Sequence, residues 1–179
     1  MRYALLLAAG AALLCCAGCS DLISLNGFAP DGVAALNPRL PGVWGDDDDL
    51  YVVQEKGGEY SITVTSKKTK GETMAFTATL FRVGNAEILD LVPAGDDDAF
   101  RVAVHTPVRI WVDERSLRFT FLDSKWIRER AAEQALAKQQ VNDKRTLLTG
   151  PSEQVTKFML AHAGDDRAYE NKPNELTRQ

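Results

Sequence analysis

Tyr60-Ser61-Ile62-Thr63-Val64-Thr65, followed by Met74-Ala75-Phe76-Thr77-Ala78-Thr79-Leu80-Phe81, alternates large apolar residues with small or polar ones. A period of two puts every second side chain on one face, the signature of half-buried antiparallel strands. The pattern recurs outward from this stretch, in Phe100–His105, Val108–Asp113 and Leu117–Leu122. Turn chemistry fills the gaps: Asp46–Asp49, Gly57-Gly58, Gly71, Gly84-Asn85, Gly95–Asp98 and Asp113–Ser116. At a spacing of ~8–12 residues per strand, the span from Gly42 to Leu122 holds about seven or eight strands, a small antiparallel barrel or sandwich.

Two helices are expected after the strands. The first runs from about Lys125 to Val141, with Asp123 or Ser124 as its cap. Thr149-Gly150-Pro151 opens the second, in which Val155, Phe158, Met159 and His162 form one apolar stripe and Gly164 ends it. The fold class is therefore mainly β, with two C-terminal helices, and the domain covers 42–165. Residues 166–179 read as a polar tail, frayed from Asn171 onward. Upstream, 19–41 carries Gly27, Gly32, Pro30, Pro38 and Pro41 without any period. It reads as a tether, with a short helical turn near Val33–Leu36.

A chain of 179 residues is long enough for one domain with a real core. Its net charge of −4 repels phosphate backbones and argues against nucleic acid as a partner. All three cysteines, Cys15, Cys16 and Cys19, lie near the start. The domain itself has no thiol for a disulfide or a cysteine-based zinc site.

The first residues form a pattern of their own. Met1-Arg2 is positively charged, and Tyr3–Leu14 is an apolar run too short to span ~30 Å of hydrocarbon. Its length fits the apolar region of a secretion signal. The run ends in Cys16-Ala17-Gly18-Cys19-Ser20. Small residues directly before a cysteine resemble the lipobox of bacterial lipoproteins. The resemblance implies removal of 1–18, a diacylglycerol and an N-acyl chain such as palmitate on Cys19, and stable attachment to a membrane of the cell envelope. Ser20 rather than aspartate follows the cysteine, which by the same resemblance favours the outer membrane.

Gly42-Val43-Trp44 opens the strand region, and a helix follows the last expected strand. This plan resembles that of lipocalins and other calycins, in which a G-x-W begins a small barrel. Over 42–141 the resemblance implies a binding or carrier module for a small apolar or lipid ligand. It also implies an arginine packed on Trp44, a role open to Arg118 or Arg128. The inward positions include Tyr60, Phe76, Phe100, Phe119 and Phe121, rings large enough to fill an eight-stranded interior.

Other sites find little support. Asp46–Asp49 lacks the alternation and turning glycine of a calcium loop and reads as a solvated turn, as do Asp96–Asp98 and Asp165-Asp166. His105 and His162 do not have zinc-site spacing, no G-x-S-x-G occurs, and there is no phosphate-binding glycine loop. No metal or cofactor is expected. Trp44, Arg101, Arg109 and Trp111 are the expected contacts for a ligand or partner, the two arginines lying opposite the apolar set. The sequence points to a non-catalytic, membrane-anchored structural or protein-interaction module. A carrier for a small apolar ligand is the alternative, and a hydrolase using paired carboxylates ranks third.

Overall fold

The computed structural model describes residues 22–30, 32–95, 102–141, 145–170 and 172–179. The lipidation candidate Cys19, the expected signal segment, Arg101 and Phe100 lie outside the described residues. In chain order the strands are β1 (Leu22–Ser24), β2 (Gly42–Gly45), β3 (Asp49–Lys56), β4 (Glu59–Ser66), β5 (Thr73–Val83), β6 (Ala86–Ala94), β7 (Thr106–Val112) and β8 (Ser116–Phe121). Helix α1 (Ser124–Glu133), strands β9 (Lys138–Gln140) and β10 (Thr146–Leu148), helix α2 (Ser152–His162), a 3-10 turn (Asp166–Ala168) and strand β11 (Asn174–Arg178) complete the order.

Eight strands close into a barrel in the order β11-β2-β3-β4-β5-β6-β7-β8, every pairing antiparallel. The expected alternation sets the faces. Tyr60, Ile62 and Val64 pair with Ala78, Phe76 and Met74, and this set points inward. A two-residue turn at Gly57-Gly58 joins β3 to β4 with φ of 66° and 91°, a left-handed pair that L side chains adopt only with strain.

The barrel has two cores. One is its interior. The other lies outside, where Phe81 of β5 and Ile88 of β6 pack against Phe28, Ile127, Val155 and Phe158 from the N-terminal segment and both helices. This second layer explains why β6 shows no alternation: Ala-Glu-Ile-Leu-Asp-Leu-Val-Pro-Ala is covered on both faces over its first half.

Five expectations need correction. The tail is not frayed: β11 sits between β8 and β2, with Leu176 only 1% exposed. Without it β8 and β2 would each present an unpaired edge, and their backbone groups supply the pairing that so polar a segment could not obtain by burial. Nor is 22–41 a tether. Leu22, Phe28 and Leu40 are fully buried, β1 pairs in parallel with β10, and Ala35 N donates to Leu80 O. Scattered single apolar residues, each finding its own pocket, leave no period to read. No helical turn forms at 33–37.

The strand expected at Phe100–His105 is also absent from its described part, where Val102 is 70% exposed. The strand count is kept instead by β3 and β6. Finally, α1 stops at Glu133 rather than Val141. Ala135 turns left-handed (φ 54°), Ala135 N donates to Ala132 O, and Leu136 N reaches back to Ala131 O while its side chain is buried. These bonds form a Schellman motif, which frees 138–140 to become β9. Asp123 caps the helix through Trp126 N at 2.7 Å.

Candidate functional site

One end of the barrel is shut. The segment 33–41 crosses it, with Asn37 N donating to the Tyr60 hydroxyl at 2.7 Å and Arg82 Nη2 donating to Leu36 O at 3.1 Å. Beneath lie Leu40, Trp44, Tyr60 and Leu80, all essentially unexposed. Burial pushes the Tyr60 phenol above its ordinary pKa of 10.0. Trp44 Nε1 donates to Leu40 O at 2.9 Å, and the Arg178 guanidinium lies 4.1 Å from its ring. A Cβ on Gly42 would come within 2.5 Å of Arg178 Nη1, so the glycine of Gly42-Val43-Trp44 makes room for that guanidinium.

Trp44 is therefore a core residue of the shut end and not a contact for a partner. Neither Arg118 nor Arg128 packs on it. Arg118 stacks instead on Trp111, at 5.6 Å. The arginine comes from β11, a strand concealed in what the sequence presents as a polar tail.

The other end is different. Toward the β2–β3 and β4–β5 turns, the inward side chains Tyr51, Met74, Phe76, Leu91, Phe119 and Phe121 are only partly buried. Phe119 is the hub, its ring centroid 6.1 Å from that of Tyr51 and 5.8 Å, edge-on, from that of Phe121. Packed against these side chains, Val53, Ile62, Val64, Leu89 and Val108 are buried together. The interior is filled, and these partly exposed side chains form an apolar cup toward one end. Alternation picks out Phe76, Phe119 and Phe121 as inward. It misses Tyr51, whose strand reads Leu-Tyr-Val-Val without a polar interruption, and it misses Leu91 on the doubly covered β6.

On the outer wall, Arg109 and Trp111 are brought together. The Arg109 guanidinium lies 4.8 Å from the Trp111 ring and 5.1 Å from that of Tyr169, and Arg109 Nη1 pairs with Asp166 at 2.7 Å. With its side chain only 13% exposed, Arg109 clasps the 3-10 turn to β7 and is not free for a partner. Burial pushes the Tyr169 phenol strongly upward, and its hydroxyl donates to Ala163 O at 2.8 Å. Trp111 borders an open cleft of about 400 Å³ together with Arg82, Glu87, Asp113 and Arg118. Arg82 is already held there by Glu87, at 2.7 Å.

The remaining polar groups have structural roles. Asp46 Oδ1 accepts from both Asp48 N and Asp49 N at 2.8 Å, and Lys68 pairs with Asp48, so the acidic run is a self-capped turn. Asp165, hydrogen-bonded by Arg167, is held down at about 2. Asp90, almost fully buried on the outer wall, meets His105 Nδ1 at 3.1 Å. Its Oδ2 also accepts from Phe28 N at 2.8 Å. An acid beside a histidine is a pairing that hydrolases use; here the carboxylate also accepts from the backbone of the N-terminal segment. Among the described residues no three His, Cys, Asp or Glu side chains group as metal ligands, and no helix is long and apolar enough to cross a membrane.

The chain matches no family model, no curated protein and no solved structure.

Proposed function

We propose that the chain is an exported lipoprotein, lipidated on Cys19 and held to the outer membrane of the cell envelope, which acts by binding rather than catalysis. Its barrel mouth docks an apolar segment of an envelope protein. The observation that carries this reading is the partly exposed ring of Tyr51, Met74, Phe76, Leu91, Phe119 and Phe121 above a filled interior. Six large apolar side chains gathered at one mouth are a recognised mark of an interaction site. The filled interior favours a protein side chain or short segment over a ligand that must be enclosed.

Two experiments test the parts separately. Metabolic labelling with a fatty acid, compared between the native chain and Cys19→Ser, tests the anchor: label in both, or in neither, refutes it. A photo-crosslinking residue at Phe119, compared with one at Gln54 on the outer face of β3, tests the mouth. A discrete adduct from position 119 alone supports docking, and equal adducts from both positions refute it.

A second reading is favoured by the position of the cup inside a closed barrel, and by Arg178 packed on Trp44 beside Gly42, an arrangement that resembles the calycin plan. In that reading the cup takes the end of a small apolar or lipid-like molecule. Native mass spectrometry of the protein purified from membranes distinguishes the two. A bound molecule lost on Phe119→Asp favours the second, and a bare protein favours the first.

A further inference from the structure

We infer that the flank of the domain built from β1, β10 and β9 rests directly on the headgroups of the bilayer that carries the anchor. The inference rests on the proposed lipidation of Cys19 and goes beyond it, because a lipid anchor alone sets no orientation.

The argument begins with reach. Cys19 precedes Leu22 by three residues, and an extended chain spans at most ~3.3–3.6 Å per residue, so the separation is at most about 11 Å. Leu22 cannot lengthen that leash. It is completely buried, and β1 is paired along its whole length with β10. Ser24 exchanges backbone hydrogen bonds with His105 at 2.8 and 3.0 Å, and Leu25 N donates to Leu148 O. Asp90 then holds Phe28. Freeing more chain would require breaking all of these together.

Register fixes which flank faces the lipid. Leu22 lies opposite Thr146, and Thr146 lies opposite Gln140. Continuing the ladder toward Cys19 leads to Arg145 and Val141, joined by a hydrogen bond from Val141 N to Arg145 O at 2.9 Å. Val141 is an aliphatic side chain 52% exposed at this edge. The sequence from Lys138 to Leu148 carries three basic residues, Lys138, Lys144 and Arg145, against the single acid Asp143, on a chain whose net charge is −4. A stretch with a net positive charge suits a surface that contains anionic lipid.

The test uses the intact lipoprotein in vesicles of phosphatidylethanolamine and phosphatidylglycerol. By the proposed processing, Cys19 is the only cysteine of the mature chain and its thiol is blocked, so Val141→Cys and Gln54→Cys each accept a single fluorophore. Gln54 is exposed and points outward from β3, which lies four strands around the barrel from β7, the strand beside which β1 sits. With a headgroup-attached quencher, the probe at 141 should be quenched at least threefold more than the probe at 54. A twelve-residue Gly/Ser insertion before Leu22 adds a flexible span of ~20 Å. It should bring the two values together. Equal quenching in vesicle-bound protein, or a difference unmoved by the insertion, overturns the inference while leaving the anchor intact. Protein that does not partition into membranes overturns the anchor, and this inference with it.

Discussion

Replacing Arg178 with alanine should loosen the shut end of the barrel. The guanidinium lies 4.1 Å from the Trp44 ring and donates to three backbone carbonyls: Arg39 O at 2.6 Å, Pro41 O at 3.3 Å and Glu114 O at 3.1 Å. A cation over an aromatic ring contributes about 0.5–1 kcal/mol when exposed, and about 2 when desolvated. Hydrogen bonds from charged donors add about 1.5–3 kcal/mol each when buried. Arg178 remains solvent-exposed, which holds every contribution near or below its lower limit. The expected loss is about 2–3 kcal/mol. Urea unfolding followed by tryptophan fluorescence measures it, with a red shift of the native spectrum as Trp44 gains water. Arg178→Lys keeps the cation but loses the fork that spans three carbonyls, so it should recover about half. An Arg178→Ala midpoint indistinguishable from that of the native chain would refute the clasp. Leu176→Ala serves as a control for the strand itself, at about 2–5 kcal/mol for a buried leucine.

Asp90→Ala removes the acceptor of Phe28 N and the partner of His105, and should cost about 1–3 kcal/mol while exposing 22–30 to limited proteolysis. An unchanged cleavage pattern counts against the grip. Ala135→Gly relieves a left-handed alanine and should raise stability by about 0.5–1 kcal/mol, read as a higher urea midpoint; any decrease refutes the proposed Schellman geometry. His162 is held below its ordinary value of 6.5, chiefly by burial among Trp126 and Phe158 and secondarily by Arg130. The unfolded chain therefore binds this proton more readily than the folded one. Its stabilising contribution is complete above about pH 6.5 and is lost as the pH falls through the folded value. His162→Gln should flatten the acid side of the stability profile, and equal slopes for the two proteins refute the assignment.

The strand region was legible wherever one face of a strand meets water. Tyr60–Thr65 and Met74–Phe81 alternate because the barrel wall has an inside and an outside, and Val155–Met159 forms a stripe because α2 packs on one side only. Legibility failed where that asymmetry is absent. β6 is covered on both faces and shows a run of apolar residues instead of a period. β11 carries a single buried leucine, and its place is fixed by the backbone edges of two strands far away in sequence. The N-terminal segment is held by side chains that nothing nearby announces: Asp90 for Phe28, Tyr60 for Asn37. The cup was half visible, through Phe76, Phe119 and Phe121. That these rings line a mouth while Tyr60 plugs the far end depends on where the segment 33–41 crosses, which no local pattern records.

During synthesis, β8 is available long before its neighbour β11 exists. Until Asn174–Arg178 has been made, the wall is a curled ribbon with two raw margins, and Trp44 lacks its cover. The gap can close only by joining positions such as Gly45 and Thr177, 132 residues apart in the sequence. Such distant pairings are slow to form, because the entropy of bringing the ends together must be lost before any contact compensates for it. A barrel built this way keeps a seam in its wall until β11 arrives to fill it.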